Sequence, residues 1–210
     1  MTPEDQPLDP NSLFVDDTIT LYRLAQAKYA NLSGIGAALA PGRWNQLGQE
    51  AIYTSIEKGV PLLERLAHTP KDLIPSNLAM MTIRLMGDWT LRKWHVLDPH
   101  TNDTSYVEMD VLRHEFRTRN YANGPLETME LGTIIVFRTI AEARARLSHG
   151  AIVNCNLLGI AVPSVIVPVW NVVLYPAGTR FWTHVTLENV ERFDVDPRLF
   201  PDDTPIEAQS

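Results

Sequence analysis

Between Ile19 and Leu24 the order Ile-Thr-Leu-Tyr-Arg-Leu alternates with a period of two and is rich in β-formers, which predicts a strand. The stretch holding Gly34, Gly36, Pro41, Gly42 and Gly48 then predicts an irregular loop, because glycine and proline favour backbone angles that regular elements do not use. Ala51 to Thr54 predicts a second, short strand. Ser55 has the chemistry of an N-cap and predicts a helix from there to about His68, with Pro61 tolerated in an early turn. Met80 to Leu85 and Trp94 to Leu97 predict strands, whereas Asn102 to Glu130 is polar, shows no clear period and predicts at most a short helix. Ala141 to Leu147 predicts a helix with Gly150 as its stop. Ile152 to Asn154, Gly159 to Val162, Val165 to Val167 and Val172 to Tyr175 predict short strands with turns at the prolines. Helices and strands mix without regular βαβ alternation, so the predicted class is α+β. The expected layout is one domain over 18–200, flanked by polar tails at 1–17 and 201–210.

Composition narrows the chemistry more than the fold. The 210 residues are 45% hydrophobic and 20% charged, as in ordinary globular domains, and long enough to bury a core without a disulfide or metal. Eighteen Lys and Arg stand against 25 Asp and Glu, a formal net charge of −7. That balance argues against a broad electrostatic surface for nucleic acid or anionic lipid, while leaving room for a local basic pocket. The single cysteine, Cys155, excludes a disulfide framework and a Cys-cluster zinc site. The acidic, proline-containing start is unlike an export signal, and Ile152 to Pro176 is too interrupted by prolines and amides to span a bilayer as a helix. A cytoplasmic protein is the resulting expectation.

Four places along the chain could carry chemistry. In Gly42-Arg43-Trp44-Asn45 the arginine fork matches a phosphate or carboxylate, or else it is a solvated loop arginine beside a core tryptophan. Arg23 lies within the first predicted strand, either reaching solvent from a strand end or lining a cleft. On the following helix, 100° per residue places Glu64 within an apolar stripe of Val60, Leu63 and Ala67, with Arg65 pointing away. A carboxylate facing the core needs a partner, solvent or a function, and Tyr53 could face the same cleft. Ser164 is either a hydrogen-bonding group at a strand start or a packed turn residue. No HExxH, P-loop, Rossmann Gly-x-Gly-x-x-Gly or Gly-x-Ser-x-Gly pattern occurs, so no metal is expected, and any nucleotide would be held by another architecture.

Taken in order, Leu21-Tyr22-Arg23-Leu24, Leu32-Ser33-Gly34, Gly42-Arg43-Trp44-Asn45, Ile52-Tyr53-Thr54-Ser55 and Leu63-Glu64 resemble the opening half of the RES domain. Val162-Pro163-Ser164-Val165-Ile166-Val167-Pro168, followed by Asn171, Leu174 and Pro176, resembles its closing half. The resemblance covers residues 19 to 178, apart from an unmatched middle between Thr69 and Glu130. Pro41, where the family commonly has a second glycine, and Tyr175, where it often has Asn, depart from the pattern.

The resemblance implies a toxin of a type II toxin–antitoxin pair, with an Xre-like helix-turn-helix antitoxin as partner and homodimerisation within the complex as a further expectation. It implies an ADP-ribosyltransferase-like fold of mixed β-sheets with flanking helices, and NAD as the consumed substrate. The family's functional positions fall on Arg23, Arg43, Tyr53, Glu64 and Ser164. Glu64, Arg43, Tyr53 and Ser164 are the expected catalytic set. Arg23, Arg43, Trp44, Asn45, Tyr53, Ser55 and Ser164 are expected to line the NAD site. In chemical terms, guanidinium groups suit the pyrophosphate, a tyrosine face suits the cationic nicotinamide, and a carboxylate suits an oxocarbenium-like ribose. The acceptor of ADP-ribose is left open between water, phosphate and a protein side chain. NAD depletion by a glycohydrolase or phosphorylase is favoured over a mono-ADP-ribosyltransferase acting on a cellular protein. An inactive module that only docks the antitoxin is the alternative of another class.

Overall fold

A computed structural model describes residue 8 and residues 18–70, 73–86, 93–97, 104–110, 115–120, 134–137, 139–147, 158–177 and 181–199. The alternation that opens the chain forms β1 (Thr18–Gln26), with Ile19 and Leu21 buried between exposed Thr18 and Thr20. β1 pairs antiparallel along its whole length with β3 (Leu78–Met86), whose partner on the far side is β10 (Val185–Phe193). On its other edge β1 meets β2 (Ile52–Ser55) at one residue pair, Tyr22 opposite Ser55. Beyond β2 come β9 (Trp170–Leu174), β8 (Gly159–Pro163) and β7 (Ile134–Val136), giving the order β10-β3-β1-β2-β9-β8-β7. All neighbours in this sheet are antiparallel except β7 and β8. A separate antiparallel sheet holds β4 (Lys93–Leu97), β5 (Thr104–Asp110) and β6 (Glu115–Asn120). The helices are α1 (Ile35–Leu39), α2 (Val60–His68), α3 (Ile140–Leu147) and α4 (Phe181–His184), and the class is α+β as expected.

Because side chains alternate across a strand, the register sorts residues onto two faces. One face carries Leu21, Ile52, Met81, Ile83, Ala161, Val172 and Leu174, which form the main core with Phe181 of α4. The other carries Leu24 and Met80, joined by Leu62 of α2, and separately Val173, Ile160 and Val162, joined by Phe137, Ile140 and Ala143. Paired residues project to the same side, so Tyr22, Ser55, Asn171 and Val162 form one row across four strands of this second face. Tyr53 lies one row away, opposite Val173.

Several elements differ from the expectations, each for a local reason. Ser55 is not an N-cap. It stays in the β2 ladder opposite Asn171, its hydroxyl donates to the Trp170 carbonyl at 3.0 Å, and the helix begins five residues later at Val60 after Gly59. Pro61 sits at the start of α2, where its missing N–H costs nothing. The inward stripe of α2 is also rotated: Leu63 is 39% exposed, while Leu62 packs inward and Arg65 is half-buried rather than turned away. Val165 to Val167 is not a strand but part of a turn closed by the Ser164 N–H on the Val169 carbonyl and the Val169 N–H on the Val167 carbonyl. Pro163 and Pro168, having no N–H to give a ladder, bracket that turn.

Within the polar middle, β5 and β6 are strands where a short helix was the expectation, held by backbone pairing that does not need an apolar period. α1, α4 and β10 were not foreseen. In the N-terminal tail, Leu8 packs against the main core. The predicted strand Ile152 to Asn154, the stop at Gly150 and residues 201–210 lie outside the described residues. No helix among the described residues is long and apolar enough to cross a membrane.

Candidate active site

Glu64 projects from the middle of α2 over the row that contains Ser55 and Asn171. Its Oε1 accepts two hydrogen bonds, from the Ser164 hydroxyl at 2.6 Å and from Asn171 Nδ2 at 2.8 Å. Ser164 is itself fixed, since its Oγ accepts the Ile166 N–H at 3.1 Å and its own N–H closes the turn onto Val169. With its one hydroxyl proton on Glu64 and a lone pair on Ile166, Ser164 has a single orientation. Oε2 has no such clamp. It lies 3.8 Å from His68 Nε2, one turn further along α2, and the Glu64 side chain keeps 25% of its surface exposed. The carboxylate is thus clamped at one oxygen, while the other faces His68.

Tyr53 occupies the same sheet face on the adjacent strand, diagonal to Asn171 and about 7–8 Å from it. Its phenol donates to Asn45 Oδ1 at 2.8 Å and accepts the Trp44 N–H at 3.0 Å. Asn45 in turn accepts the Gly42 N–H at 2.9 Å and donates from Nδ2 to the carbonyls of Ala37, Gln46 and Gln49. The loop from 41 to 49 is therefore organised around one amide and one phenol. Gly42 is required here, because a Cβ at that position would lie 2.5 Å from the Tyr53 hydroxyl. Burial pushes that phenol up to about 12, against the downward pull of the Trp44 N–H and the Arg43 charge. Tyr53 therefore stays a neutral donor at physiological pH.

The remaining expected residues divide between the opening and the core. Arg43 is exposed and lies over the Trp44 ring, 5.8 Å from its centroid. The Trp44 ring is buried among Phe137, Ile140 and Val173, and its carbonyl accepts the Tyr175 hydroxyl at 2.8 Å. Ser55 is buried with its hydroxyl on a backbone carbonyl. Arg23 donates from one nitrogen to the carbonyls of Asn31 and Ser33, at 2.8 and 3.2 Å. Burial first, and the charge of Arg65 second, bring the Arg23 guanidinium down to about 10.

The structure brings Glu64 and Ser164 into direct contact, and Tyr53, Trp44 and Asn45 into a second cluster that Arg43 adjoins. Two residues with a place in this geometry were not among the expected site residues. Asn171 was visible in principle as the one amide in the apolar strand Trp-Asn-Val-Val-Leu, and its contact with Glu64 spans 107 residues. Arg65 was masked by the helical phase assumed for α2.

One face of the sheet thus carries a carboxylate clamped by Ser164 and Asn171, with Tyr53 on the neighbouring strand of that face. The RES domain family model matches residues 20–196, and the chain belongs to that family. It is similar to Toxin Res of Photorhabdus laumondii subsp. laumondii, with 29% identity over 187 residues that span 85% of this chain and 96% of the relative. Among solved structures it is similar to one described as the crystal structure of the M. tuberculosis MbcT-MbcA toxin-antitoxin complex. There the identity is 16% and the TM-score 0.46, covering 87% of this chain and 86% of the other.

Proposed function

We propose that this RES-domain chain is the toxin of a toxin–antitoxin pair and cleaves the nicotinamide–ribose bond of NAD in the cytoplasm. The observation that carries the reading is the Glu64 carboxylate, with Oε1 held by Ser164 and Asn171 and Oε2 bearing no such clamp, 3.8 Å from His68. Departure of nicotinamide leaves an oxocarbenium-like ribose, and a fixed anion beside it lowers the barrier most when no reorganisation is needed. The two donors on Oε1 provide that fixity. Nicotinamide leaves as a neutral molecule, so no acid is required. With water as acceptor, the oxygen bonds to the ribose carbon and one proton is released, giving ADP-ribose and nicotinamide.

Tyr53 offers an aromatic face for the nicotinamide ring, and Arg23 and Arg43 offer charge for the pyrophosphate. The role of the sheet in this scheme is that of an ADP-ribosyltransferase-like fold. The similarity to Toxin Res along most of both chains supports the toxin reading. An Xre-like antitoxin covering the cleft is the corresponding partner.

Incubation of the purified protein with NAD, with nicotinamide release as the readout, tests the reading. The parent should release nicotinamide, and Glu64→Ala should not while melting as the parent does. Equal rates for the two would sink the assignment. NAD labelled in the adenylate, added with cell lysate, then identifies the acceptor: free ADP-ribose means hydrolysis, and label on a discrete protein band means transfer.

A further inference from the structure

Among the described residues β1 and β2 pair only at Tyr22 and Ser55, and the guanidinium groups of Arg23 and Arg65 come near one another beside β1 past that point. Arg23 leaves β1 there and bonds the carbonyls of Asn31 and Ser33. Arg65 reaches down from α2 to the Leu24 carbonyl at 3.5 Å. Both therefore bond only to neutral acceptors. Among the described residues neither arginine has a carboxylate partner, and the buried Arg65 Nε has no hydrogen-bond partner at all. The two charges oppose one another, as the effect of Arg65 on Arg23 shows.

Partly buried like charges without an acid are costly, and apolar or paired side chains would fill the same space at lower cost. Two adjacent forks of donors lack only a compact, multiply charged anion. Arg65 also follows Glu64 directly, so a single turn of α2 supplies both the carboxylate and the cation.

We propose that Arg65 is an anion-binding residue, which together with Arg23 seats the pyrophosphate of the dinucleotide in the gap between β1 and β2. The identity of the anion rests on the NAD reading above; the existence of the seat does not. Arg43, exposed on its loop, then serves a different part of the ligand or the rim of the cleft.

Titration calorimetry on the full chain tests the seat with ADP-ribose, inorganic pyrophosphate and nicotinamide as separate probes, none of which carries the bond that the proposed reaction cleaves. Arg65→Met should weaken ADP-ribose and pyrophosphate by about ten-fold or more and leave nicotinamide unchanged, and Arg65→Lys should recover part of the loss. The melting temperature of ligand-free Arg65→Met should stay level or rise, because an unpaired buried charge is removed. Unchanged pyrophosphate affinity in Arg65→Met overturns the proposal, as does a lowered melting temperature with equal losses for all three probes. Loss of antitoxin binding with pyrophosphate affinity intact also overturns it, in favour of a protein contact. If the parent does not consume NAD but binds pyrophosphate through Arg65, the proposed function fails and the seat stands. If NAD is consumed and pyrophosphate binding ignores Arg65, the seat fails and the function stands.

Discussion

Each oxygen of the Glu64 carboxylate has a different task. Oε1 is occupied by Ser164 and Asn171, whereas Oε2 faces His68 at 3.8 Å and is, on the proposed function, the oxygen turned to the ribose. A hydrogen bond to a charged group contributes about 1.5–3 kcal/mol, so Ser164→Ala should lower kcat for NAD by roughly ten- to a hundred-fold. Nicotinamide release by a folded variant is the measurement. Asn171→Asp should lose more activity than Asn171→Ala, since it places a second carboxylate where Glu64 now finds a donor. Equal losses would show that only packing at Asn171 matters.

Single residues also show what the sequence could and could not reveal. Glu64 and Ser164 stood out because a carboxylate on an apolar helix face and a serine between Pro163 and β-branched neighbours both ask for a reason. That they meet was not legible, because 100 residues separate them and the β8–β9 turn had to be folded correctly first. Arg65 was read as outward because the stripe was phased on Leu63, which the fold leaves exposed.

At the scale of elements, the sequence was most informative where one face is buried and the other is not. β1, β3 and α3 arise close to their predicted limits; in β1 one-sided burial of Ile19 and Leu21 imposes the period, while Leu78 to Met81 of β3 are buried on both faces. It was least informative where a segment is short or its order comes from elsewhere. α1 is a five-residue helix with no side-chain cap, inside a loop organised by Asn45. The glycines around it separate two kinds of constraint. A Cβ at Gly34 would lie 2.6 Å from the Ala51 amide nitrogen and 2.8 Å from Glu50 Cβ, whereas one at Gly36 meets nothing within 4 Å. Gly34→Ala should therefore cost about 1–3 kcal/mol through forced backbone movement. Gly36→Ala, in a helical position, should stabilise by about 0.4–1 kcal/mol. Thermal melts should move in opposite directions for the two variants, and a parallel shift would contradict the packing of this loop.

For the whole molecule, the balance of charge is acidic. The net charge of −7 repels polyanions at long range, yet a small anion that reached Arg23 and Arg65 would meet both charges at short range. The Debye length is about 8 Å at physiological ionic strength, so long-range repulsion is screened before a buried contact is. Nucleic acid should accordingly show no retention in a mobility shift at physiological salt.

Alkaline pH tests the interior as a unit. Tyr53 is pushed up to about 12 by burial, and Tyr175 is raised by burial and by the neighbouring Tyr53. Below the ordinary tyrosine value of about 10, both folded and unfolded chains hold these protons. Above it the unfolded chain releases them first, so stability should fall from about pH 10 to about pH 12. Denaturant melts across that window should show the decline, with a shallower slope in Tyr53→Phe.

The single Tyr22–Ser55 pair between β1 and β2 has a mechanical meaning for the molecule as a whole. β10-β3-β1 and β2-β9-β8-β7 are two ribbons stitched at one point, with Arg23 on the first and Tyr53 and Asn171 on the second. A dinucleotide that touches both would act as a second stitch. Backbone amides along this seam should then exchange with solvent more slowly when ADP-ribose is bound, while those in the middle of the β1–β3 ladder change little. Under the proposed toxin reading, a partner protein that held the two ribbons at another spacing would act at this seam as effectively as one that filled the ligand site.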